Sequence, residues 1–388
     1  MIWFLTRSLY PYQKTGGGQI RLGQVDALKS LGWDITVVMP NYKDKSINIV
    51  RNVTQVPFLK NQRISSILER IGIYEDYLDT WVDTTFDYLK SKIKKEDIIF
   101  STSGGELGMI KLGSVLKNEI GCKLVINFHD PLVYSLVNGL KLDNKFHVNR
   151  EEQEFRYLQN SDLIISSSKS NQISLCNKYP NWNDKIKNNY FGYIHKIDLT
   201  KYGKKSSNKL KIAYVGSMGL LQKPEILYNL YRKLKNKNIE IYFIGNINSY
   251  SPLQNISDKN VKFIDFMPHD EFLKFMVENI DIGFVSLVND YLGACVPSKL
   301  YEYLNLGLPM IGALPDGDGK NIINDNGYGV ACRYDDINGL ITVVEKFTDD
   351  DYLNNIKLNI IKNRHKWSMD ERINDVNTLL KKVQEFGY

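Results

Sequence analysis

The chain has 388 residues, 43% of them hydrophobic and 24% charged, with a formal net charge of +6. That length predicts two domains, each able to bury its own core, and no apolar run approaches the roughly 18 residues of a spanning helix. The charge is mild for a nucleic-acid binder and no basic arm is interleaved with aromatics, while Cys122, Cys176, Cys295 and Cys332 lack the spacing of a zinc site or disulfide framework.

The first residues, Met1 to Thr6, are too short and wrongly flanked for a signal peptide and read as a strand. Further strands are predicted over Asp34–Met39, Ile98–Ser101, Lys123–Phe128, Leu163–Ser166 and Asn189–Phe191. Amphipathic stretches alternate with them, which argues for a parallel sheet wound on both faces. The first loop runs from Arg7 to Gly18, and a helix is predicted from Gln19 to Leu31. Gly16, Gly17 and Gly18 let backbone approach a ligand closely, or simply give a flexible loop; Arg21 follows a turn later. The run is not GxGxxG and no acid ends the second strand, which disfavours a dinucleotide oxidoreductase.

From Leu59 to Ile93 the pattern is helical, with a break near Gly72. Arg63, Arg70, Lys90 and Lys92 are interspersed with Ile and Leu, as on a solvated helix face or a membrane-surface helix. Ser101 to Glu106 follows a strand and is predicted to open a helix. Asn127-Phe128-His129-Asp130-Pro131 ends a strand on a polar pair, at the edge where parallel sheets bind ligands. Ser168 or Ser170 is a helix cap.

Lys201 to Lys209 is polar and basic, a linker candidate. The rhythm then restarts, with strands over Leu210–Gly216, Ile239–Ile244, Val261–Ile264, Ile282–Ser286, Met310–Ala313 and Gly329–Ala331. Gly216-Ser217-Met218-Gly219 forms the first loop of this half, and Lys223 follows before a helix. His269 reads as structural. Asp316-x-Asp318 sits among glycines, where turn chemistry explains it better than a metal. Met369 to Phe386 is an amphipathic final helix. The predicted domains are 1–203, 204–368 and the final helix 369–388.

The densest signal is Val296-Pro297-Ser298-Lys299-Leu300-Tyr301-Glu302, continuing to Gly307-Leu308-Pro309. Ser298 is placed to cap a helix, Glu302 falls about one turn in, where the dipole still favours a negative side chain, and Gly307 and Pro309 close it. This pattern resembles the nucleotide-binding helix of the retaining GT-B glycosyltransferases of the large bacterial polysaccharide and glycolipid group, family 4-like. The resemblance implies a GT-B fold: two Rossmann-like parallel-sheet domains facing a central cleft, with the final helix crossing back to the first domain.

By the same resemblance Glu302 binds the donor's ribose hydroxyls, and Gly17, Gly18 and Arg21 meet its diphosphate or sugar. Lys223 serves the diphosphate, Ser298 lies at the donor-facing start of the helix, and Lys299, at its dipole-positive end, is a candidate to compensate for the arginine that Ser217 replaces. His129 hydrogen-bonds the sugar near its reacting carbon, and Asp130 either orients His129 or binds acceptor. The loop 101–106 becomes an acceptor-side candidate. Two departures stand out. The family's second glutamate is replaced by Ala294, with Asp290 nearby, and an arginine beside the diphosphate is replaced by Ser217. The implied activity moves a sugar from a nucleotide-diphosphate sugar to a saccharide or lipid-linked acceptor. No metal or cofactor and no nucleic acid is expected, and the expected location is the cytoplasm, peripheral on an anionic membrane surface. A GT-B-like nucleotide-sugar epimerase and a non-catalytic nucleotide- or partner-binding protein are the alternatives.

Overall fold

The structure is a computed structural model that describes residues 1–13, 16–42, 52–58, 62–132, 144–205, 207–234, 238–246 and 250–386. Lys14 and Thr15 of the first loop, residues 59–61 of the helical reading and Ser206 of the linker lie outside the described residues. The chain divides into two compact units, Met1–Ile194 with Met369–Tyr388, and His195–Ser368.

Unit 1 is built on a seven-stranded sheet in the order β3-β2-β1-β4-β5-β6-β7, every pair parallel. The strands are β1 (Ile2–Leu5), β2 (Ile35–Asn41), β3 (Val53–Pro57), β4 (Ile98–Gly104), β5 (Lys123–Asp130), β6 (Leu163–Ser166) and β7 (Ile186–Asn188). Its helices are α1 (Gly16–Ser30), α2 (Gln62–Arg70), α3 (Asp79–Leu89), α4 (Gly108–Ile120), α5 (Asn144–Leu158) and α6 (Lys169–Lys178). The central strands β1, β4 and β6 are buried along their whole length, as expected of strands covered on both faces. Phe4 and Phe100 stack across neighbouring strands at 5.2 Å. Gly113 of α4 has no room for a side chain, because a Cβ there would lie 2.3 Å from Ser101 Oγ; its absence lets α4 sit close on β4.

Unit 2 repeats the plan with six parallel strands, β8 (Leu210–Val215), β9 (Ile239–Ile244), β10 (Val261–Ile264), β11 (Ile282–Ser286), β12 (Met310–Leu314) and β13 (Gly329–Arg333). Their order is β10-β9-β8-β11-β12-β13. The helices are α7 (Glu225–Lys233), α8 (His269–Asn279), α9 (Ser298–Asn305), α10 (Asp318–Asp325), α11 (Ile337–Lys346) and α12 (Asp350–Asn363). α9 is keyed onto the sheet by Tyr303. A Cβ at Gly283 would meet its ring at 2.4 Å, and its hydroxyl donates to the carbonyls of Ala213 and Phe284. That anchor fixes where the first turn of α9 ends up.

The last helix, α13 (Met369–Phe386), belongs to unit 1. It buries Ile373, Val376, Leu380 and Val383, and Asn377 accepts from the Trp33 indole at 2.8 Å.

Several sequence expectations shift. α1 begins at Gly16, so Gly17 and Gly18 form its first turn and do not precede it. Ser298 is the first residue of α9 and makes no side-chain cap; Pro297 occupies the cap position, where its fixed φ suits the entry. Residues 101–104 extend β4, and the helix after them starts only at Gly108. The seventh strand lies at Ile186–Asn188, before the predicted span, and β3 carries no alternating apolar signal. Ser168 does cap α6, accepting from Asn171 N. The chain divides at 194/195, ahead of the predicted 203/204. The reason is tertiary: Ile197 N donates to Asn305 Oδ1, Lys205 N donates to the Glu278 carbonyl, and Lys204 pairs with Asp281 at 2.9 Å. The basic stretch is thus tied down on unit 2.

Candidate functional site

In both sheets the strand order reverses beside the first strand, between β1 and β4 and between β8 and β11. Ligands of open parallel sheets bind beyond the strand carboxyl ends at such a switch point. The polar residues of interest collect at these two places, and each unit is described by itself.

In unit 1, Arg7 and Ser8 leave the end of β1. Arg21, only 2% exposed, reaches back from α1 and donates to Ser8 Oγ at 2.7 Å. Arg7 lies 3.1 Å from Glu106, whose other contact is the Gly104 N–H at 2.9 Å. The Glu106 carboxylate holds the Arg7 guanidinium firmly charged, whereas burial lowers the pKa of Arg21. A side chain at Gly104 would collide with the Arg21 guanidinium at 2.9 Å, and one at Gly17 would crowd it at 3.1 Å. Those glycines therefore make room for the arginine. Asp130 ends β5 and contributes favourably to the charge on Arg21.

His129 also lies in β5, buried and packed against Phe191 with ring centroids 4.4 Å apart. Its backbone carbonyl accepts from Ser167 Oγ, but its buried Nε2 has no hydrogen-bond partner. Burial, then the charges of Arg21 and Arg7, push its pKa well below the ordinary histidine range. It is a neutral imidazole with one nitrogen unused.

In unit 2, β8 ends at Val215 and Gly216 turns the chain with φ +98°. Tyr214 is fully buried; its hydroxyl donates to the Ser217 carbonyl and accepts from Lys299 Nζ, which also lies 3.8 Å from the ring centroid. The Lys299 stem passes over Gly216, where a Cβ would meet Lys299 Cε at 3.2 Å. No carboxylate pairs with Lys299 among the described residues, and burial lowers its pKa to about 7. One turn on, Glu302 has no cation beside it among the described residues. Its buried Oε1 has no hydrogen-bond partner, and burial raises its pKa to about 7. A half-buried lysine and glutamate on one helix turn, each without counter-charge, are costly unless something else completes them.

The remaining candidates separate from this pair. Lys223 is exposed, in a left-handed conformation at φ +38° ahead of Pro224, with no ion-pair partner among the described residues. Ser298 is exposed at the helix start. Asp290, considered for the missing glutamate, is engaged by Arg333 at 2.9 Å, and Asp316 by Lys320 at 2.7 Å. Among the described residues no group of three or more metal-ligating side chains converges. His269 stacks on Phe272 at the start of α8. Tyr214, Arg7 and Glu106 were not singled out by sequence reasoning. Tyr214 is masked by the apolar run around it. Arg7 is the first charged residue after the first strand, which is a usable signal.

A parallel seven-stranded unit followed by a parallel six-stranded one, each with its switch point beside the first strand, is the GT-B fold. The structural comparisons agree. HepE of Anabaena, solved in complex with UDP and glucose, matches at TM-score 0.67 and 14% identity over 98% of this chain and 99% of its own. Sucrose-phosphate synthase from Thermosynechococcus elongatus matches at 0.72 and 12% identity, covering 98% of both chains. The lipopolysaccharide outer core galactosyltransferase WaaB matches at 0.68 and 12% identity, over 98% of this chain and 99% of that one. No protein-family model matches the sequence, and no curated protein matches it.

Proposed function

We propose that the protein is a retaining, metal-independent glycosyltransferase. It moves a sugar from a nucleotide-diphosphate sugar to a saccharide or lipid-linked acceptor, in cell-surface polysaccharide or glycolipid assembly. The observation that carries this reading is the uncompensated pair Lys299 and Glu302 at the switch point of the second sheet. A nucleotide sugar supplies what each lacks. Its diphosphate brings negative charge to Lys299, and its ribose hydroxyls donate to Glu302. Neighbours of the same fold point the same way, one of them holding UDP and glucose.

In this reading Lys299 and Lys223 stabilise the charge that grows on the departing diphosphate, where such contacts lower the barrier most. The N–H groups of the first turn of α9, at Ser298, add the positive end of a helix dipole. His129 uses its unpaired Nε2 to hydrogen-bond the transferred sugar. Gly17 leaves room for Arg21, Gly18 follows Gly17 in the first turn of α1, and Asp130 supports the arginine's charge. Same-face attack by the acceptor hydroxyl, and hence retention, rests on the sequence resemblance alone. A membrane-bound acceptor is supported by α2 and the turn after it. Ile64, Ile67, Ile71 and Ile73 are each more than half exposed there, beside exposed Arg63 and Arg70.

The test is incubation with a panel of nucleotide sugars and saccharide or lipid-linked acceptors. We expect transfer with unchanged anomeric configuration, and a loss of donor affinity of about tenfold or more in Glu302→Ala. Isomerised donor without transfer would make the protein an epimerase, and binding without turnover would make it a non-catalytic binder.

A further inference from the structure

We propose that Tyr214 is a positioning residue that parks the Lys299 ammonium over Gly216, where it takes the place of the phosphate-binding arginine that Ser217 displaces. The inference rests on the donor-binding reading above and assigns the diphosphate's main cation. The Lys299–Tyr214 contact and the bare Gly216 fix the arrangement. The Tyr214 hydroxyl is oriented by donating to the Ser217 carbonyl, so its lone pair is aimed at Lys299 Nζ. The ammonium is 3.8 Å from the ring centroid, at the hydroxyl end of the ring. Gly216, by having no side chain, leaves the channel through which the lysine stem passes.

A flexible lysine normally loses entropy when it is held at one point. Here that ordering is already present in the protein, so a diphosphate meets a cation fixed in place. The other titratable groups near the pair do not neutralise it. Tyr303 spends its hydroxyl on two carbonyls, Tyr250 donates to Glu225 at 2.7 Å, and Glu302 lies one turn further along the helix. What remains is a half-buried ammonium whose only described polar partner is a phenol oxygen. That is a weak substitute for an anion, and it occupies one of the ammonium's three N–H groups, which leaves the others for a diphosphate.

The arrangement makes donor binding proton-linked. Lys299 must be charged to hold a diphosphate, and unliganded it loses its proton at about pH 7. A diphosphate raises that value, so the diphosphate's share of the affinity is full below pH 7 and falls as pH rises above it, by up to about tenfold per unit. A nucleotide sugar is the right probe because its diester diphosphate does not titrate in this range. The matching nucleoside is the control, since it reports Glu302 and the base but not Lys299.

The experiment measures the ratio of nucleotide-sugar to nucleoside affinity between pH 6 and 9, by calorimetry, for the best binder among UDP-glucose, GDP-mannose and dTDP-glucose. In the wild type the ratio should fall above pH 7. Tyr214→Phe should lower it about tenfold at pH 7 and move the fall to lower pH, because the ammonium loses the acceptor that helps keep it charged. Lys299→Gln should lower the ratio and abolish its pH dependence. A ratio flat with pH in the wild type, or equal weakening of nucleoside and nucleotide sugar in Tyr214→Phe, would overturn the inference while leaving donor binding intact. Absence of binding by every nucleotide sugar and nucleoside would overturn both.

Discussion

At the scale of the residue, the buried charges are where sequence and structure diverge most usefully. Glu302 and His129 were legible because a helix followed by Gly-x-Pro, and a polar pair ending a strand, are local patterns. Their state was not legible: neither pattern says that Glu302 lacks a partner or that His129 is held neutral. The second point has a measurable consequence. A histidine whose folded pKa is depressed stabilises the fold only above its unfolded value, near 6.5, and that contribution is lost as pH falls below it. Between pH 7 and 5 the unfolding free energy should fall in the wild type relative to His129→Gln, by up to about 1.4 kcal/mol per pH unit, when both are unfolded by denaturant. The same variant should reduce turnover at pH 7 by about tenfold or more while changing donor affinity little. Equal turnover would take His129 out of the chemistry.

At the scale of the element, periodicity located most strands within two or three residues, because strands covered on both faces are short apolar runs. It failed at β3, an edge strand with one buried residue in five, and at Ile186–Asn188, where three residues are too few for any pattern. The glycine-rich loop failed for another reason. Glycine is a poor helix former, so three in a row read as a loop, yet α1 starts at Gly16, and at Gly17 a Cβ would crowd the Arg21 guanidinium at 3.1 Å. α2 shows how tertiary contacts override composition in turn. Its buried acid, Glu69, is held by Arg150 at 3.1 Å, which fixes the face that points inward and leaves Ile64 and Ile67 outward. If that outward face meets an anionic bilayer, the protein should co-sediment with vesicles containing phosphatidylglycerol but not with pure phosphatidylcholine. Ile64→Ser with Ile67→Ser should reduce the bound fraction several-fold. Binding unaffected by the pair, or absent from both vesicles, would remove the membrane from the proposal.

At the scale of the whole molecule, the doubled strand rhythm announced two parallel-sheet units, and that much follows from alternation alone. The allegiance of residues 195–203 did not, because it depends on Asn305 capturing the Ile197 N–H and on Arg364 donating to the Ile197 carbonyl, both remote in sequence. Unit 2 is continuous, with its own six-stranded sheet and core. The fragment His195–Ser368 should therefore give a cooperative thermal transition by itself. Residues 1–194 without α13 should not, since Ile373, Val376, Leu380 and Val383 would leave an apolar face uncovered. A cooperative melt of residues 1–194 would count against this division of labour. The interruption of unit 1 also orders events on the ribosome. All 174 residues of unit 2, from His195 to Ser368, are synthesised between the two parts of its neighbour. The amino-terminal half must wait, its surface around Trp33 open to solvent and chaperones, until the closing segment emerges. The later-made unit can thus reach its native state first.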